Sequence, residues 1–546
     1  MIGSDQKRYV YWCRNCGVPL LQPVCENCGT LGTKMVNDLR PIFEEEKVFI
    51  ENHIGETLPN DTRLLWMRQW TIWFDGSRYM RLSANKGLKI LNRYPIEDSA
   101  RAAMDSWSEL LWRANFSTLE ALEREATTFI QRVSKQYPDH MPIVSFSGGK
   151  DSTLVSHLVR KALATEEVTH IFADTTIEFP DTYQYIKEFH EAHTGIPFIS
   201  ERASTEWYNM CEVMGIPSRI FPWCCTVFKA SPISTMLYKL KESNGGMRLL
   251  NFEGIRRAES NKRRLRPRIN SNSKLRNQVS VEPIIDWKSI EVWLYILGQG
   301  IPFNQAYRKG FSRVGCLYCP HHPHSTETYL SFHFPQHITD WKAFVIKQAE
   351  KLGKDDPLEY WESEAWKIRV GEGRGKSSAY VRKVPCLKNT SAMHFLLDRE
   401  LVDGFVDRFK PFGKIEEFHD DVGEGFIVKE AITGAPQFMI KRVKNIELLH
   451  RESKIDPSWE LGNEFLCVDL LTTKGHYRLL QAIERQIRKS QACELCGACQ
   501  GLCPQGAIRV DGRYAIDEER CNHCGACIRT KPLQSSCIAV EAKRRF

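Results

Sequence analysis

Long hydrophobic runs are missing from this 546-residue sequence: no stretch is apolar for long enough to cross a bilayer, so we expect no membrane partner. The first residues, MIGSDQKRYVYWC, lack the apolar core of a signal peptide, so we expect a cytoplasmic protein. Charge of one sign is also scarce, since the net charge of +8 permits an anionic partner without requiring one. A hydrophobic content of 42% and a charged content of 26% are typical of ordinary soluble globular proteins.

Cysteine, by contrast, is abundant, with 19 residues. Disulfides are uncommon in a reducing compartment, so this number predicts metal sites. Three cysteines stand apart from the others, and we expect each to be a small buried apolar residue: Cys211, Cys386 and Cys467. The rest fall into clusters.

The first cluster consists of two Cys-x2-Cys pairs, eight residues apart, each followed directly by glycine. Its members are Cys13, Cys16, Cys25 and Cys28. Four sulfurs close a tetrahedral site, so this pattern predicts a structural zinc ribbon or a rubredoxin-like site rather than a catalytic metal. The ligand type favours Zn²⁺ over mononuclear iron.

The segment from Met141 to Leu163 combines a short apolar run, a glycine turn and an amphipathic pattern. It predicts a strand, a turn at Ser147-Gly148-Gly149 and a helix beginning near Asp151 and Ser152. Such a turn directs backbone N–H groups at an anion, and Lys150 adds a positive charge. The spacing is not the GxxxxGK[ST] of a P-loop, so the usual nucleoside-triphosphatase interpretation fails.

Further motifs follow at spacings that suit alternating strands and helices. Asp174 ends an apolar run, and strand ends line the ligand crevice of an open parallel sheet, so Asp174 is placed to meet a nucleotide or Mg²⁺. A strand-end aspartate is as often a helix cap. In order along the chain, the motifs are SGGKDS, DTxxEFP, CC, GIRxxES, PxxDW, IPxN and GCxxCP.

The glycine turn resembles the SGGxDS loop of the PP-loop ATP pyrophosphatases, which split ATP between the α and β phosphates. The ordered motifs over roughly residues 140–322 resemble the phosphoadenosine phosphosulfate (PAPS) reductase family. The resemblance implies an α/β fold with a doubly wound parallel sheet and an adenosine nucleotide, ATP or an adenylyl sulfonucleotide, at the turn. It implies that phosphate is held by Ser147, Gly148, Gly149, Lys150, Asp151 and Ser152. Arg256, with Lys229 as a further candidate, would hold the acidic end of the substrate.

Two cysteine pairs lie within these motifs: Cys224-Cys225 and Cys316-x2-Cys319. They resemble the [4Fe–4S] ligands of adenylyl sulfate (APS) reductases, and equally those of the ATP pyrophosphatase of bacterial DNA phosphorothioation. Four thiolates favour an iron–sulfur cluster or zinc. The alternative is a set of buried structural thiols.

Thiol-dependent sulfonucleotide reductases carry a nucleophilic cysteine in an ECGxH-like C-terminal segment, which this sequence lacks. The intact SGGKDS loop resembles that of ATP-splitting enzymes. The resemblance therefore implies adenylation of a substrate oxygen followed by displacement of AMP by sulfur, with Lys150, Asp151 and Arg256 as catalytic residues. Mg²⁺ and Lys150 would stabilise charge on the departing pyrophosphate.

Seven cations lie between Ile255 and Arg268. They are Arg256, Arg257, Lys262, Arg263, Arg264, Arg266 and Arg268. This density predicts either a clamp for the phosphate backbone of a nucleic acid, tRNA or DNA, or a solvated loop.

The last part of the chain carries eight cysteines in two runs that resemble a bacterial ferredoxin. In that family, the fourth cysteine of each run binds the other cluster. One [4Fe–4S] set would be Cys493, Cys496, Cys499 and Cys537, and the other Cys503, Cys521, Cys524 and Cys527. Nine residues separate Cys527 from Cys537 and no proline follows, which departs from the family pattern.

The sequence predicts five regions. They are a zinc ribbon (1–35), an accessory domain (36–135), a PAPS reductase-like PP-loop domain (136–330), a helical and basic accessory region (331–485) and a ferredoxin-like α+β domain (486–546). Within the fourth region we expect helices over Ile338–Lys351, Asp398–Val406 and Leu479–Ile487, and a basic segment, Arg369–Lys383.

Three functions are compatible with this organisation. The first is an AMP-forming ATP pyrophosphatase in sulfur transfer, with a nucleic acid as a candidate acceptor and a sulfur or electron donor protein as partner. The second is a ferredoxin-fused APS or PAPS reductase that releases sulfite. The third is a non-catalytic iron–sulfur carrier or scaffold that retains a nucleotide fold.

Overall fold

The protein is described by a computed structural model. The residues it describes are 9–84, 87–95, 106–271, 278–368, 381–420, 423–444, 449, 452–453, 464–472, 475–528 and 537–540. The chain divides into two compact units. The first comprises residues 1–173, 177–200 and 239–341, and the second 174–176, 201–238 and 342–546. No helix in the described residues is long and apolar enough to span a membrane.

The first unit begins with a small three-stranded sheet in the order β2-β1-β3 and continues with a five-stranded antiparallel sheet in the order β4-β5-β6-β7-β8. The strands are β1 (Tyr11–Cys13), β2 (Val18–Leu20), β3 (Thr33–Lys34), β4 (Arg40–Pro41), β5 (Leu65–Arg68), β6 (Thr71–Phe74), β7 (Ser77–Ser83) and β8 (Lys89–Arg93). The helices of this part are α1 (Glu44–Ile54), α2 (Trp107–Ala114) and α3 (Phe116–Gln136). Asp75 and Gly76 join β6 to β7 with φ of 43° and 78°, the two positive values of a tight hairpin turn.

An α/β region follows, in which strands and helices alternate. Its elements are β9 (His140–Ser145), α4 (Lys150–Leu163), β10 (Thr169–Asp174), α5 (Pro180–Ala192), β11 (Phe198–Arg202), α6 (Trp207–Met214), α7 (Ser231–Ser243), β12 (Arg248–Glu253), α8 (Asn261–Arg264), β13 (Ile269–Asn270), β14 (Gln278–Val281), α9 (Ser289–Gly298) and α10 (His324–His333). A π-helix, Cys225–Ala230, precedes α7.

The six strands follow the order β11-β10-β9-β12-β14-β13. β9 is parallel to both β10 and β12, β12 is parallel to β14, and only the short β13 is shown to be antiparallel. The chain therefore starts at the centre of the sheet, moves to one side and crosses to the other. The predicted α/β class with a doubly wound parallel sheet is confirmed.

Both faces of this sheet are covered. Val144 of β9 belongs to a large apolar cluster with α3, α4 and α9, whereas Phe146 stacks on Phe189 of α5 with ring centroids 4.2 Å apart. Burial on both sides is what a parallel sheet with crossover helices requires. Because β9 and β12 are neighbours, the crevice at their carboxyl ends is the switch point where ligands bind in such sheets.

The second unit contains a six-stranded antiparallel sheet in the order β15-β16-β20-β19-β18-β17. The strands are β15 (Val381–Pro385), β16 (Ala392–Leu397), β17 (Lys414–Asp420), β18 (Gly423–Lys429), β19 (Pro436–Val443) and β20 (Phe465–Leu470), and a separate hairpin is formed by β21 (Ile508–Asp511) and β22 (Arg513–Ile516). The remaining helices are α11 (Pro335–Lys351), α12 (Pro357–Glu362), α13 (Ala365–Ile368) and α14 (His476–Ala492).

The helical description of residues 331–485 needs correction. The helices expected over Ile338–Lys351 and Leu479–Ile487 are present within α11 and α14, but the six strands β15 to β20, which lie between them, form an antiparallel sheet. Asp398–Val406 is not a helix: Gly404 has a φ of 81°, and an added Cβ there would lie 1.8 Å from the Tyr514 carbonyl oxygen. Residues 369–380 of the basic segment lie outside the described residues.

Candidate functional site

The glycine turn lies between the end of β9 and the start of α4, as predicted. Gly148 has a φ of 68°, and Gly149 precedes the first residue of α4 in an extended conformation. The Ser152 hydroxyl accepts a hydrogen bond from the Ser147 amide at 3.2 Å and donates to the Gly149 carbonyl at 2.9 Å. The turn is therefore closed from within by its own last residue.

The glycines permit close contacts that a side chain would obstruct. An added Cβ at Gly148 would lie 3.1 Å from the Thr182 methyl group. At Gly254, just after β12, an added Cβ would lie 2.6 Å from the Asp151 carbonyl carbon. The GIR segment after β12 thus runs directly against the first turn of α4, which brings Arg256 to the loop.

Asp151 is held between two cations. Lys150 Nζ lies 2.6 Å from one carboxylate oxygen, and Arg256 Nε donates to the other at 2.7 Å. The side chains of Lys150 and Arg256 are nearly buried, with exposures of 4% and 7%. The structure therefore brings together all three of the residues predicted to be catalytic.

The pKa values of this group reflect burial and mutual attraction. Burial would raise the pKa of Asp151, but the charges of Lys150 and Arg256 outweigh it and hold the pKa below its ordinary value. Burial lowers the pKa of Lys150, although Asp151 opposes the shift. Burial would also lower the pKa of Arg256, yet Asp151 and Glu259 raise it. Asp151 is thus kept ionised between its partners.

Two further residues complete the site, and sequence reasoning did not assign them to it. The Tyr307 hydroxyl accepts a hydrogen bond from the Lys150 amide at 3.1 Å. Asn304 donates to the Gly148 carbonyl at 3.2 Å and to the Thr182 hydroxyl at 3.0 Å. Both belong to the IPFNQAY stretch, so the IPxN motif was the signal that could have identified them.

Most of the basic stretch from Arg256 to Arg268 is paired with carboxylates. Arg256 pairs with Asp151, Arg257 with Asp286, Arg263 with Glu259, Arg266 with Glu253 and Glu282, and Arg268 with Glu125. Lys262 and Arg264 are exposed. Paired guanidinium groups are poorly suited to clamp a phosphate backbone, and they are not a freely solvated loop either.

Asp174 and Lys229 have their described contacts within the second unit. Asp174 accepts a hydrogen bond from the Thr176 amide at 2.8 Å, and Arg202 lies 3.9 Å from its carboxylate. The first contact is the local turn that a strand-end aspartate commonly makes. Lys229 lies in the π-helix one turn after Cys225 and lowers the pKa of that thiol.

The sheet order and the loop geometry agree with comparison to known families. Residues 141–322 match the phosphoadenosine phosphosulfate reductase domain. This PAPS reductase domain covers about a third of the chain and contains the glycine turn, Arg256 and Tyr307. The predicted resemblance is confirmed for this part of the molecule.

Several known proteins are similar to part of this chain. The uncharacterized protein MJ0066 of Methanocaldococcus jannaschii is 34% identical over 47% of this chain and 51% of its own length. The uncharacterized protein MJ0973 of the same organism is 32% identical over 38% of this chain and 49% of its own length, so the match spans about half of both relatives. Adenosine 5'-phosphosulfate reductase of Bacillus mycoides is 23% identical over 38% of this chain and 86% of its own length.

Two solved structures show distant similarity. The PAPS reductase of Candida auris has 18% identity and a TM-score of 0.26 over 36% of this chain and 94% of its own. The FMN adenylyltransferase of Candida glabrata has 14% identity and a TM-score of 0.30 over 37% of this chain and 64% of its own.

The N-terminal cysteines lie together. The sulfur atoms of Cys13, Cys16, Cys25 and Cys28 are all within 4.8 Å of one another. The two Cys-x2-Cys pairs make the same backbone hydrogen bond. The Gly17 amide donates to the Cys13 carbonyl and the Gly29 amide to the Cys25 carbonyl, each at 2.8 Å. The donor set fits a closed tetrahedral site for Zn²⁺.

The vicinal pair Cys224-Cys225 begins the π-helix, an irregularity that is frequent at functional sites. The hydrogen bond from the Cys224 thiol, together with the charge of Lys229, lowers the pKa of Cys225 to about 6. A lowered pKa favours the thiolate, the form that binds metals and acts as a nucleophile.

Cys316 and Cys319 belong to the first unit, whereas Cys224 and Cys225 belong to the second. Cys316 pairs with Glu178 in an antiparallel bridge, and its sulfur lies 3.8 Å from a Glu178 carboxylate oxygen. A third cluster shared by the four cysteines stays a prediction.

The C-terminal cysteines line two cavities of the second unit. Four line the first cavity as predicted for one cluster: Cys493, Cys496, Cys499 and Cys537. Four line the second cavity as predicted for the other: Cys503, Cys521, Cys524 and Cys527. Cys527 also borders the first cavity. The Cys503 sulfur accepts a hydrogen bond from the Ala507 amide at 3.3 Å, as cluster-binding thiolates commonly do.

The first cavity also touches the helix that carries the vicinal pair. Thr226, the residue after Cys225, lines this cavity with the cluster-type cysteines. Ser231 of α7 donates a hydrogen bond to the Gly497 carbonyl at 2.9 Å. An added Cβ at Gly506 would lie 2.2 Å from the Tyr238 ring, so the ferredoxin-type turns pack tightly on this helix. The segment from Thr226 to Tyr238 therefore packs against the C-terminal cysteine region.

Proposed function

We propose that this protein is an AMP-forming ATP pyrophosphatase of sulfur chemistry whose PAPS reductase domain binds the nucleotide at the turn from Ser147 to Ser152. The observation that carries the proposal is the Asp151 carboxylate held between the buried Lys150 and Arg256, through Lys150 Nζ and Arg256 Nε. Two cations arranged around one anion at a helix N-terminus form a site in which phosphate oxygens can replace the carboxylate.

The chemistry assigned to the chain is mainly positioning. A substrate oxygen attacks the α-phosphorus of ATP, forming a P–O bond while the bond to the β-phosphate bridging oxygen breaks and pyrophosphate leaves. Lys150 and Arg256 would balance the charge that develops on the leaving oxygens. Mg²⁺ would supply further charge stabilisation when bound with the nucleotide. A sulfur nucleophile then displaces AMP from the adenylated substrate.

The cysteine sets of the second unit fit two [4Fe–4S] clusters, because four thiols line each of the two cavities. Such clusters supply electrons one at a time when bound. Thiolates are already fully reduced, so Cys224 and Cys225 would not accept electrons themselves. Because Thr226 lines the first cavity, we assign Cys224 and Cys225 as residues that would help to hold the redox group receiving electrons from this module. An electron donor protein would load the clusters from outside.

A nucleic acid is not part of the proposal, because most of the Arg256–Arg268 cations that would contact phosphates are paired with carboxylates. The sulfur acceptor is defined only as a molecule with an oxygen that can be adenylated.

The test is turnover of ATP by anaerobically purified protein, with AMP and pyrophosphate measured separately. We expect both products in equal amounts, and Lys150→Ala should reduce turnover by roughly 10²–10³-fold while the iron–sulfur absorbance stays unchanged. Lys161→Ala is the matched control, since Lys161 lies on the same helix with 49% of its side chain exposed. Turnover that survives Lys150→Ala, or product that appears as ADP, would refute the proposal.

A second candidate is reduction of adenylyl sulfate to sulfite and AMP, favoured by the similarity to the APS reductase of Bacillus mycoides. That reaction consumes a pair of electrons and needs no ATP. Sulfite release from APS in the absence of ATP, lost in Cys225→Ser, would favour this candidate over the first.

A further inference from the structure

A further group of side chains that commonly bind metals lies at the six-stranded antiparallel sheet of the second unit, outside the sequence motifs discussed above. The Cys386 sulfur, a ring nitrogen of His394 and a carboxylate oxygen of Glu452 all lie within 4.8 Å of one another. Cys386 and His394 are buried, with 8% and 0% exposure. A thiol, an imidazole and a carboxylate converge here inside a protein core.

The backbone fixes this convergence although the residues are distant in sequence. Cys386 directly follows β15, and its amide donates to the Ala392 carbonyl at 3.2 Å, at the start of the strand that carries His394. The Leu387 amide donates to the Glu452 carbonyl at 2.7 Å. The positions of the three groups therefore do not depend on flexible side chains alone.

Hydrogen bonding selects the tautomer of His394. The Ser453 hydroxyl donates to the Pro385 carbonyl at 3.3 Å, so its oxygen is free to accept from Nδ1–H of His394, which lies 2.6 Å away. The proton then resides on Nδ1, and Nε2 presents a lone pair. Metal-binding histidines are commonly oriented in this way by a hydrogen bond to the other ring nitrogen.

That lone pair has no protein partner. Nε2 of His394 is buried without a hydrogen bond, and the nearer Glu452 oxygen in its ion-pair contact is 3.9 Å away. Buried polar atoms are rarely left unsatisfied, so an unmatched nitrogen that faces a thiol and a carboxylate indicates a missing ligand. Lys388, with 65% of its side chain exposed, lies 3.3 Å from the other Glu452 oxygen and leaves the inner one available.

We propose that Cys386, His394 and Glu452 bind a zinc ion, with Cys467 as the fourth ligand. Cys467 is the residue opposite His394 in the pairing of β20 with β16, so both side chains stand on the same face of the sheet. Sulfur, nitrogen and oxygen donors in a set of four suit Zn²⁺ and its tetrahedral preference. The ion ties the end of β15 and the strand pair β16–β20 to the segment that carries Glu452.

The assignment divides the three isolated cysteines, for all of which the sequence predicts a small buried apolar role. Cys211 is fully buried as expected of a small apolar residue. Cys386 and Cys467, for which the sequence predicts the same role, become metal ligands here.

The test counts zinc and iron per chain in full-length protein purified anaerobically. His394→Gln should lower the zinc content by one ion per chain and leave iron unchanged, and Cys28→Ser should remove a different ion, so the double variant loses both. His419→Gln is the matched control, because His419 is an exposed histidine in β17 of the same sheet. A zinc content that is equal in the wild type and in His394→Gln would overturn the proposal.

A second measurement covers the case in which a variant fails to fold. In the Cys28→Ser variant, in which the ribbon site is disabled and every other residue is unchanged, Co²⁺ replaces zinc and the sulfur-to-metal charge-transfer absorption is recorded. Intensity for two thiolates, falling by half in Cys467→Ser, supports the four-ligand site. Intensity for one thiolate overturns the Cys467 assignment, and the absence of any thiolate band overturns the site.

Discussion

The glycine turn of the PAPS reductase domain and the cysteine-lined cavities of the second unit satisfy their reactive groups in opposite ways. At the turn, Asp151 pairs with Lys150 and Arg256, and the loop is supported by a large apolar core. Among the described residues, the hairpin beside the cavities rests on a cluster of five buried ones: Ala507, Ile508, Val510, Tyr514 and Ile516. So small a core cannot stabilise a module alone. At the first site the charged side chains balance one another within the protein. The stability of the second site, by contrast, depends on what its thiols bind.

The largest effect is expected from loss of a cluster ligand. Cys496→Ser should remove roughly half of the iron of the two-cluster module and make the region after α14 sensitive to protease, because the clusters take the place of a core there. Nucleotide binding by the PAPS reductase domain should not change. Iron analysis, limited proteolysis and nucleotide titration measure the three quantities. Cys211→Ser is the control. A Cys496→Ser protein that resists protease would show that the clusters do not stabilise this region.

Asp151→Asn should destabilise the first unit by about 3–5 kcal/mol, since it leaves two buried cations without their anion. Denaturant unfolding followed by tryptophan fluorescence measures this, with the exposed Asp139→Asn as the control. The pKa of Asp151 is lowered in the folded protein, so its stabilisation is present above the unfolded value of about 3.9 and is lost as pH falls through the folded value. The difference between wild type and variant should therefore close in acid. A difference that grows in acid would contradict the ionised state of Asp151.

The thiolate at Cys225 gives a smaller and more local effect. In protein stripped of metal by chelation, alkylation of Cys225 should show a midpoint at a pH of about 6. Cys224→Ser should keep part of the hydrogen bond, whereas Cys224→Ala should move the midpoint toward the ordinary value of 9.0. Mass spectrometry of the alkylated peptide measures the rate. An unchanged midpoint in Cys224→Ala would show that the vicinal thiol is not the cause.

Tyr307→Phe should have the smallest effect. The substitution removes the acceptor of the Lys150 amide and leaves a buried N–H unsatisfied, which costs about 1–3 kcal/mol. We expect a modest fall in the melting temperature of the first unit and a weaker affinity for nucleotide. Tyr295→Phe, which removes a hydroxyl that donates to Glu123 elsewhere in the same unit, is the control for the loss of a buried phenol hydrogen bond.

Much of the PAPS reductase domain could be predicted because its signals are local. The glycine turn joins a strand to a helix within a few residues. The cysteine runs at the C-terminus likewise carry their spacing in the sequence, and the two cavities contain the sets that this spacing indicated.

The features that the sequence did not reveal depend on contacts between residues that are far apart in the sequence. Tyr307 reaches the Lys150 amide from 157 positions away, and no local pattern reports such a contact. The apparent helix at Asp398–Val406 gave way because Gly404 packs against the β22 backbone. The group of Cys386, His394 and Glu452 is assembled by strand pairing, which cannot be deduced from an isolated cysteine.

In the proposed reaction, the Asp151 carboxylate affects how the products leave the glycine turn. When the phosphates of a product depart, this side chain can re-engage Lys150 and Arg256 at once, as a resident substitute anion. Release therefore does not leave two desolvated cations facing each other, and the penalty for letting go of pyrophosphate is correspondingly small. If the turn binds nucleotide as we propose, the same exchange would weaken the affinity for every incoming nucleotide by the strength of the contacts that it must displace. Rapid turnover and modest affinity would then both result from this one side chain.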